Sequence, residues 1–364
     1  MQTLTKLQRL AKRFGQGFRK YTALFVIGVT LTAVVAACGT STNTASTSAD
    51  GSKPDVELTL VSFAVTREAY TGIIPKFVEK WKQEQNQNVI FKQSYGASGT
   101  QARAVLDGLD ADIVHLALEP DTHRIEQGGL IDLGWQQEFP NGGIVSSSVA
   151  AIVVRDGNPK NIKTWADLGK ADIATVTADP KTSGGARWNI LALWGAITKS
   201  GGTEEQATQL ISQVIKNAPV LPKDAREASD AFLKKQQGDA LINYENEVIL
   251  ANLKGEKTDY VIPEVNISID NPIAIVDKNV AKHNTKEVAE AFVNYLYTPE
   301  AQTEFAKVGF RPVEASVASQ KEFTDKFPAI KTLFTAKDLG GWDAINQQFF
   351  AEGALFDKVV TSVR

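Results

Sequence analysis

One cysteine and three histidines are all that this 364-residue chain holds of the side chains that most often bind metals or carry thiol and proton-transfer chemistry. A lone Cys38 excludes internal disulfides and thiolate clusters, so stability must come from ordinary apolar cores. His115, His123 and His283 stand at no metal-ligand spacing, and acidic pairs such as Asp110 and Asp112 read as a strand start, so no metal and no cofactor is expected. The phosphate-loop pattern G-x-x-x-x-G-K-[ST] is also missing, since Lys181 precedes its glycines. An excess of basic charge is lacking too. Six of the 39 basic residues fall in the first twenty positions, and removing them leaves 33 against 42 acids, a net charge of about −9. A chain of that sign is no partner for nucleic acid, whose binding rests on neutralising phosphates.

What is present begins with an export signal. Lys6, Arg9, Lys12, Arg13, Arg19 and Lys20, with no acid among them, lead into an apolar run ending at Ala37. Val35-Ala36-Ala37-Cys38 resembles the lipobox of bacterial lipoproteins, which makes 1–37 a signal peptide and Cys38 a lipidated N-terminus; the alternative is an uncleaved anchor helix. Residues 38–54, rich in Ser, Thr and Ala, read as a disordered tether. The remainder, about three hundred residues, is long enough for two cores.

Strand-like and helical patterns then alternate: a strand over 57–63, a helix to 84, a strand over 88–93, a helix with Ala102, Val105 and Leu106 on its apolar face, and a strand over 112–118. Such alternation implies an α/β fold with largely parallel sheets, whose ligands lie beyond the carboxyl ends of the strands. The valine-rich run 146–155 carries the chain into a second lobe, with strands expected at 172–178, 219–221 and 240–244 and a helix over 226–237. The strand-rich stretch 262–277 returns it. Lobe I is thus expected over 55–145 plus 270–364, and lobe II over 146–269.

The stretch 179–189 is the most telling. Asp179-Pro180-Lys181-Thr182-Ser183-Gly184-Gly185 follows a strand and opens a helix, with Ser183 where an N-cap belongs. The first N–H groups of a helix have no intrahelical partner and carry the positive end of its dipole, so they can surround an oxyanion, and glycines let it touch the backbone. Arg187 lies in the first turn, either contacting the anion or bracing the loop, and its direction along the helix favours the brace. Further joints of the same kind lie at Ala64, at Ser98 and at Asp224-Ala225.

Ser98 also invites an enzymatic reading, because Gly96-Ala97-Ser98-Gly99-Thr100 approaches the nucleophile elbow G-x-S-x-G of an exported serine hydrolase. The last glycine is missing and no histidine recommends itself as base. Ser98 fits better as an N-cap whose hydroxyl points at a ligand.

The stretch 179–189 resembles the N-P-K-[ST]-S-G-x-A-R signature of the prokaryotic sulfate-binding proteins, the exported receptors of sulfate and thiosulfate ABC importers, with Asp179 in place of Asn. Lys92-Gln93-Ser94 with Ser98-Gly99, Val65-Thr66-Arg67-Glu68, Tyr244-Glu245-Asn246-Glu247 and Phe310-Arg311-Pro312 extend the likeness over nearly everything after the tether. The resemblance implies a two-lobed periplasmic-binding-protein fold of the second type, each lobe a mostly parallel sheet flanked by helices, closing on a dehydrated sulfate and catalysing nothing. It implies donors at the N–H groups of Ala64, Ser183, Gly184, Gly185 and Ala225 and at the hydroxyl of Ser98, with Tyr244 where the family has tryptophan. The partners implied are sulfate and a membrane permease, for a monomer held in the periplasm through Cys38. Thiosulfate or another tetrahedral oxyanion is the alternative ligand. Sulfate at neutral pH carries no proton, so its site should offer donors only, and Asp179 and Asp224 are expected to point away.

Overall fold

The computed structural model describes residues 53–363; the expected signal peptide, Cys38 and most of the tether lie outside the described residues. Strand β1 (Val56–Phe63) divides its side chains between two cores, Leu58 and Leu60 facing one and Val61 the other. A strand buried on both faces belongs to a sheet covered by helices on both sides. Helix α1 (Arg67–Gln85) covers one face with Tyr70, Ile73, Phe77 and Trp81, and stops at Asn86 in the left-handed conformation, φ 51°. Strand β2 (Val89–Gly96) leads to α2 (Ser98–Leu106), which covers the other face with Ala102 and Val105. Strand β3 (Ile113–His115) and β2 flank β1, both parallel to it.

From α3 (Glu119–Gln127) the chain enters the long β4 (Ile144–Val154), then passes through β5 (Thr175–Val176), α4 (Gly184–Thr198), α5 (Glu204–Lys216), α6 (Ala225–Leu233), β6 (Ala240–Tyr244), α7 (Glu245–Leu253) and β7 (Asp259–Val261) before returning on β8 (Val265–Ile275). The sheet order is β2-β1-β3-β8-β4-β6-β5. The long strands β4 and β8 run antiparallel to each other over Ile144–Val149 and Ser268–Pro272. Beyond that overlap each serves a different partner: β8 pairs with β3 through Ile273–Ile275, and β4 pairs with β6 through Ala150–Val154. Three parallel strands with a returning β8 therefore form one half, and β5 and β6, parallel to each other, with β4 form the second.

Two expectations change here. The strand expected at 172–178 shrinks to β5, and 219–221 makes no ladder, because Pro219 and Pro222 remove the donors on either side of it. The C-terminal segment, expected in lobe I, instead covers α4. That helix is apolar on every side, with Ile190, Leu191, Leu193 and Trp194 all buried, and a helix hydrophobic all round needs cover all round. After helices α8 (Asp277–His283), α9 (Lys286–Leu296) and α10 (Pro299–Lys307), strand β9 (Thr332–Phe334) joins β8 and sets Phe334 over Gly195, where a Cβ would stand only 2.0 Å from the Phe334 ring. Trp342 meets Trp188 edge-to-face at 4.7 Å, Phe349 meets Trp194 at 4.8 Å, and the final helix, Leu355–Val363, packs on α5.

Candidate functional site

Three helices begin at one point. The N-termini of α2, α4 and α6 converge on a small, partly open cavity of about 10 Å³ lined by Ala64, Ser98, Ser183, Gly184, Gly185, Ala225 and Tyr244. All seven side-by-side positions expected from the sequence are thus brought together, each at the joint after a strand or at the start of a helix. Three dipole ends pointing at one volume make it a place for an anion.

The available donors follow from a hydrogen-bond inventory. The main-chain N–H groups of Ala64, Ser98, Gly184, Gly185 and Ala225 have no protein partner among the described residues. The first residues of a helix have no intrahelical acceptor, so these groups need an external one. Ser183 differs from expectation: its N–H donates to Asp179 O at 2.8 Å, while its hydroxyl accepts from Ala186 N at 3.3 Å and keeps its own proton to give. Ser98 differs in the opposite sense. It is the first residue of α2, with Ala97 as N-cap, and its hydroxyl donates to Asp121 Oδ2 at 2.6 Å and accepts from Ala117 N at 3.0 Å. The roles of the two serines are exchanged: Ser183 offers its side chain and Ser98 its backbone.

Tyr244 closes the cavity. Its ring packs 6.1 Å from Phe63, and its hydroxyl is buried without a hydrogen-bond partner. Burial raises the phenol well above its usual range, with the negative charges of Glu247 and Asp121 adding to the effect, so it stays protonated and able to donate. A Cβ on Gly185 would stand 2.7 Å from Tyr244 Cε2, so glycine there is what lets ring and helix meet. Tyr244 is fixed through Asn243, whose Oδ1 accepts from Tyr244 N at 2.9 Å and whose Nδ2 donates to Ala225 O at 2.8 Å. The acids after it are braces: Glu245 pairs with Arg311 at 2.7 Å and Glu247 takes Arg226 through both of its oxygens.

Among the described residues, the carboxylates nearest the cavity are engaged in local caps and turns. Asp224 lines it, but its Oδ1 caps α6 by accepting from Glu227 N at 2.8 Å; Asp179 Oδ1 accepts from Lys181 N at 2.9 Å. Arg187 Nε donates to Pro180 O at 3.0 Å and its guanidinium lies over the Phe350 ring, a bracing position. Asp121 is the member of the neighbourhood that sequence patterns did not suggest. It is 2% exposed, and burial raises its pKa against the opposing effects of Ser98, Arg187 and Arg124.

The hydrolase alternative finds no histidine base among the described residues. His115 is buried between Tyr70 OH, 2.7 Å from Nδ1, and Ser146 Oγ, 3.2 Å from Nε2, and burial pushes its pKa down to about 3. His123 pairs with Glu126 and His283 with Asp112, away from Ser98.

A family model described as bacterial extracellular solute-binding protein matches residues 58–311. The chain is 55% identical over 329 residues to the sulfate-binding protein of Synechococcus elongatus, covering 90% of this chain and 93% of that one. It is 34% identical over 302 residues to the thiosulfate-binding protein of Pseudomonas aeruginosa, covering 82% and 90%. Among solved structures, the sulfate-binding protein SubI from Mycobacterium tuberculosis superposes with a TM-score of 0.74 at 38% identity, over 81% of this chain and 100% of that one.

Proposed function

We propose, for a chain that belongs to the bacterial extracellular solute-binding proteins, that it is the sulfate receptor of an ABC importer. The observation that carries this reading is the donor-only cavity. Five unpartnered N–H groups and the hydroxyls of Ser183 and Tyr244 lie around it, and the one carboxylate that lines it, Asp224, is engaged through Oδ1 in capping α6. Removing a dianion from water costs on the order of tens of kcal/mol in an apolar medium, which only convergent donors can offset. Hydrogen phosphate would bring a proton needing an acceptor, and a site built mainly of N–H donors favours the unprotonated dianion. The curated relative at 55% identity is a sulfate-binding protein, against 34% for a thiosulfate-binding one, which supports sulfate as the ligand.

In this reading Ala64 and Ser98 stand on one lobe, Ser183 to Gly185, Ala225 and Tyr244 on the other, and closure around the ion buries it. The receptor works outside the cytoplasm and hands sulfate to a membrane permease. Cys38 anchors it to lipid, and intact-mass measurement of the membrane-extracted protein would reveal the acyl groups. Calorimetric titration with sulfate, thiosulfate, phosphate and molybdate at two pH values tests the ligand. Sulfate should bind tightest, with one ion per chain; tightest binding to phosphate would refute the donor-only argument.

A further inference from the structure

Beside the cavity lies a second, open cleft of about 540 Å³ that shares Ser183 and Gly184 with it. Four cationic side chains line it, Arg103, Arg124, Lys181 and Arg187, against a single carboxylate, Asp121. They come from both sides of the seam: Arg103 from α2, Arg124 from α3, Lys181 from the loop before α4, and Arg187 from α4 itself. This concentration runs against the chain as a whole, whose exported part carries a net charge of about −9. At long range such a protein repels a dianion.

Arg187 also braces the loop before α4, while the other three are weakly engaged. Lys181 pairs with Asp357 at 2.8 Å with its ammonium well exposed, a pair that contributes roughly 0–1 kcal/mol, and Arg124 only approaches the buried Asp121, at 3.6 Å. Arg103 is exposed and makes no ion pair among the described residues. A cleft walled by charge of one sign focuses the field and raises the local concentration of a counter-ion. None of the four supplies a donor inside the closed cavity, so their effect falls on arrival.

We propose that this cleft is a capture site for tetrahedral dianions, drawing sulfate to the seam before the lobes close and so raising the association rate constant kon. The proposal rests on the sulfate reading above. Calorimetry with sodium sulfate first establishes binding for the unaltered protein; rapid-mixing fluorescence then gives kon and koff as a function of ionic strength. Arg103→Glu should lower kon roughly 3- to 10-fold at about 10 mM ionic strength, and less at about 0.5 M, where the field is screened. Arg103→Gln should fall between it and the wild type, and koff should not change in either. Lys216→Glu, an equal charge change on α5 outside the cleft, is the control. Equal kon values for Arg103→Glu and Lys216→Glu, or an effect confined to koff, would overturn the capture site while leaving the receptor intact. Failure of the unaltered protein to bind sulfate would overturn both.

Discussion

Ser98 Oγ gives its proton to Asp121 Oδ2 at 2.6 Å and receives the Ala117 N–H at 3.0 Å, so the hydroxyl ties three elements together and has nothing left to donate. Ser98→Ala should therefore weaken sulfate binding only a few-fold, since the main-chain donor survives. It should cost about 1–3 kcal/mol of stability by leaving a buried carboxyl without its partner. Ser183→Ala should show the reverse emphasis. Loss of a hydroxyl donor to a charged ligand should lower affinity roughly 10- to 100-fold, with only about 1 kcal/mol lost from the cap. Calorimetry and urea melts of the two variants measure both quantities; equal affinity losses would contradict the exchange of roles.

Tyr244 OH is buried without a protein partner. Tyr244→Phe should accordingly leave the ligand-free protein as stable or more stable, while weakening sulfate binding by about 1.5–3 kcal/mol, the worth of a hydrogen bond to a charged group. The two effects have opposite sign, and thermal melts with and without sulfate separate them. Unchanged affinity would show that the phenol does not contact the ion.

Gly184 bears on closure. A Cβ there would stand 2.7 Å from Ala117 Cβ and 2.9 Å from Leu118 Cγ, atoms that follow β3 on the opposing side of the seam. Gly184→Ala should hold the lobes apart, lowering sulfate affinity by roughly 100-fold or more. X-ray scattering in saturating sulfate should then give a larger radius of gyration than for the wild type. Gly184→Asp adds charge repulsion to the same obstruction, so Ala rather than Asp isolates the steric effect.

His115 is held neutral by burial, with a pKa near about 3 against 6.5 for the free side chain. Its folded pKa is depressed, so an unfolded chain takes up the proton first as pH falls. The stabilisation is complete above pH 6.5 and is lost as pH drops toward 3. Between about pH 7.5 and pH 5 the wild type should lose roughly 2 kcal/mol more than His115→Gln, read as the difference in urea midpoints. Parallel pH profiles would mean that the imidazole takes up its proton in the fold as readily as in the unfolded chain.

The joints that build the cavity were legible because each is local. Ser183-Gly184-Gly185, Ala225 and Ser98 follow extended stretches and open apolar helical patterns, and local pattern is what a single sequence expresses. Which atom of each serine faces the ion was not legible. That depends on Asp121, 23 residues from Ser98, and on Asp179 O capturing the Ser183 N–H. Asn243, which ties Tyr244 to Ala225, likewise sits inside a short strand with no local mark of its role. The C-terminal segment was misplaced because its partner, α4, is apolar on all sides and gives no preferred direction for its cover.

Strands β4 and β8 share one ladder over Ile144–Val149 and Ser268–Pro272, and each then ends in a different one, β4 with β6 and β8 with β3. The boundary between the halves is thus no seam for unfolding: neither half can melt without stripping an edge from strands that the other half also needs. A one-residue slip in either strand would turn the side chains of one half inside out relative to the other. The two halves must be made, and lost, as one.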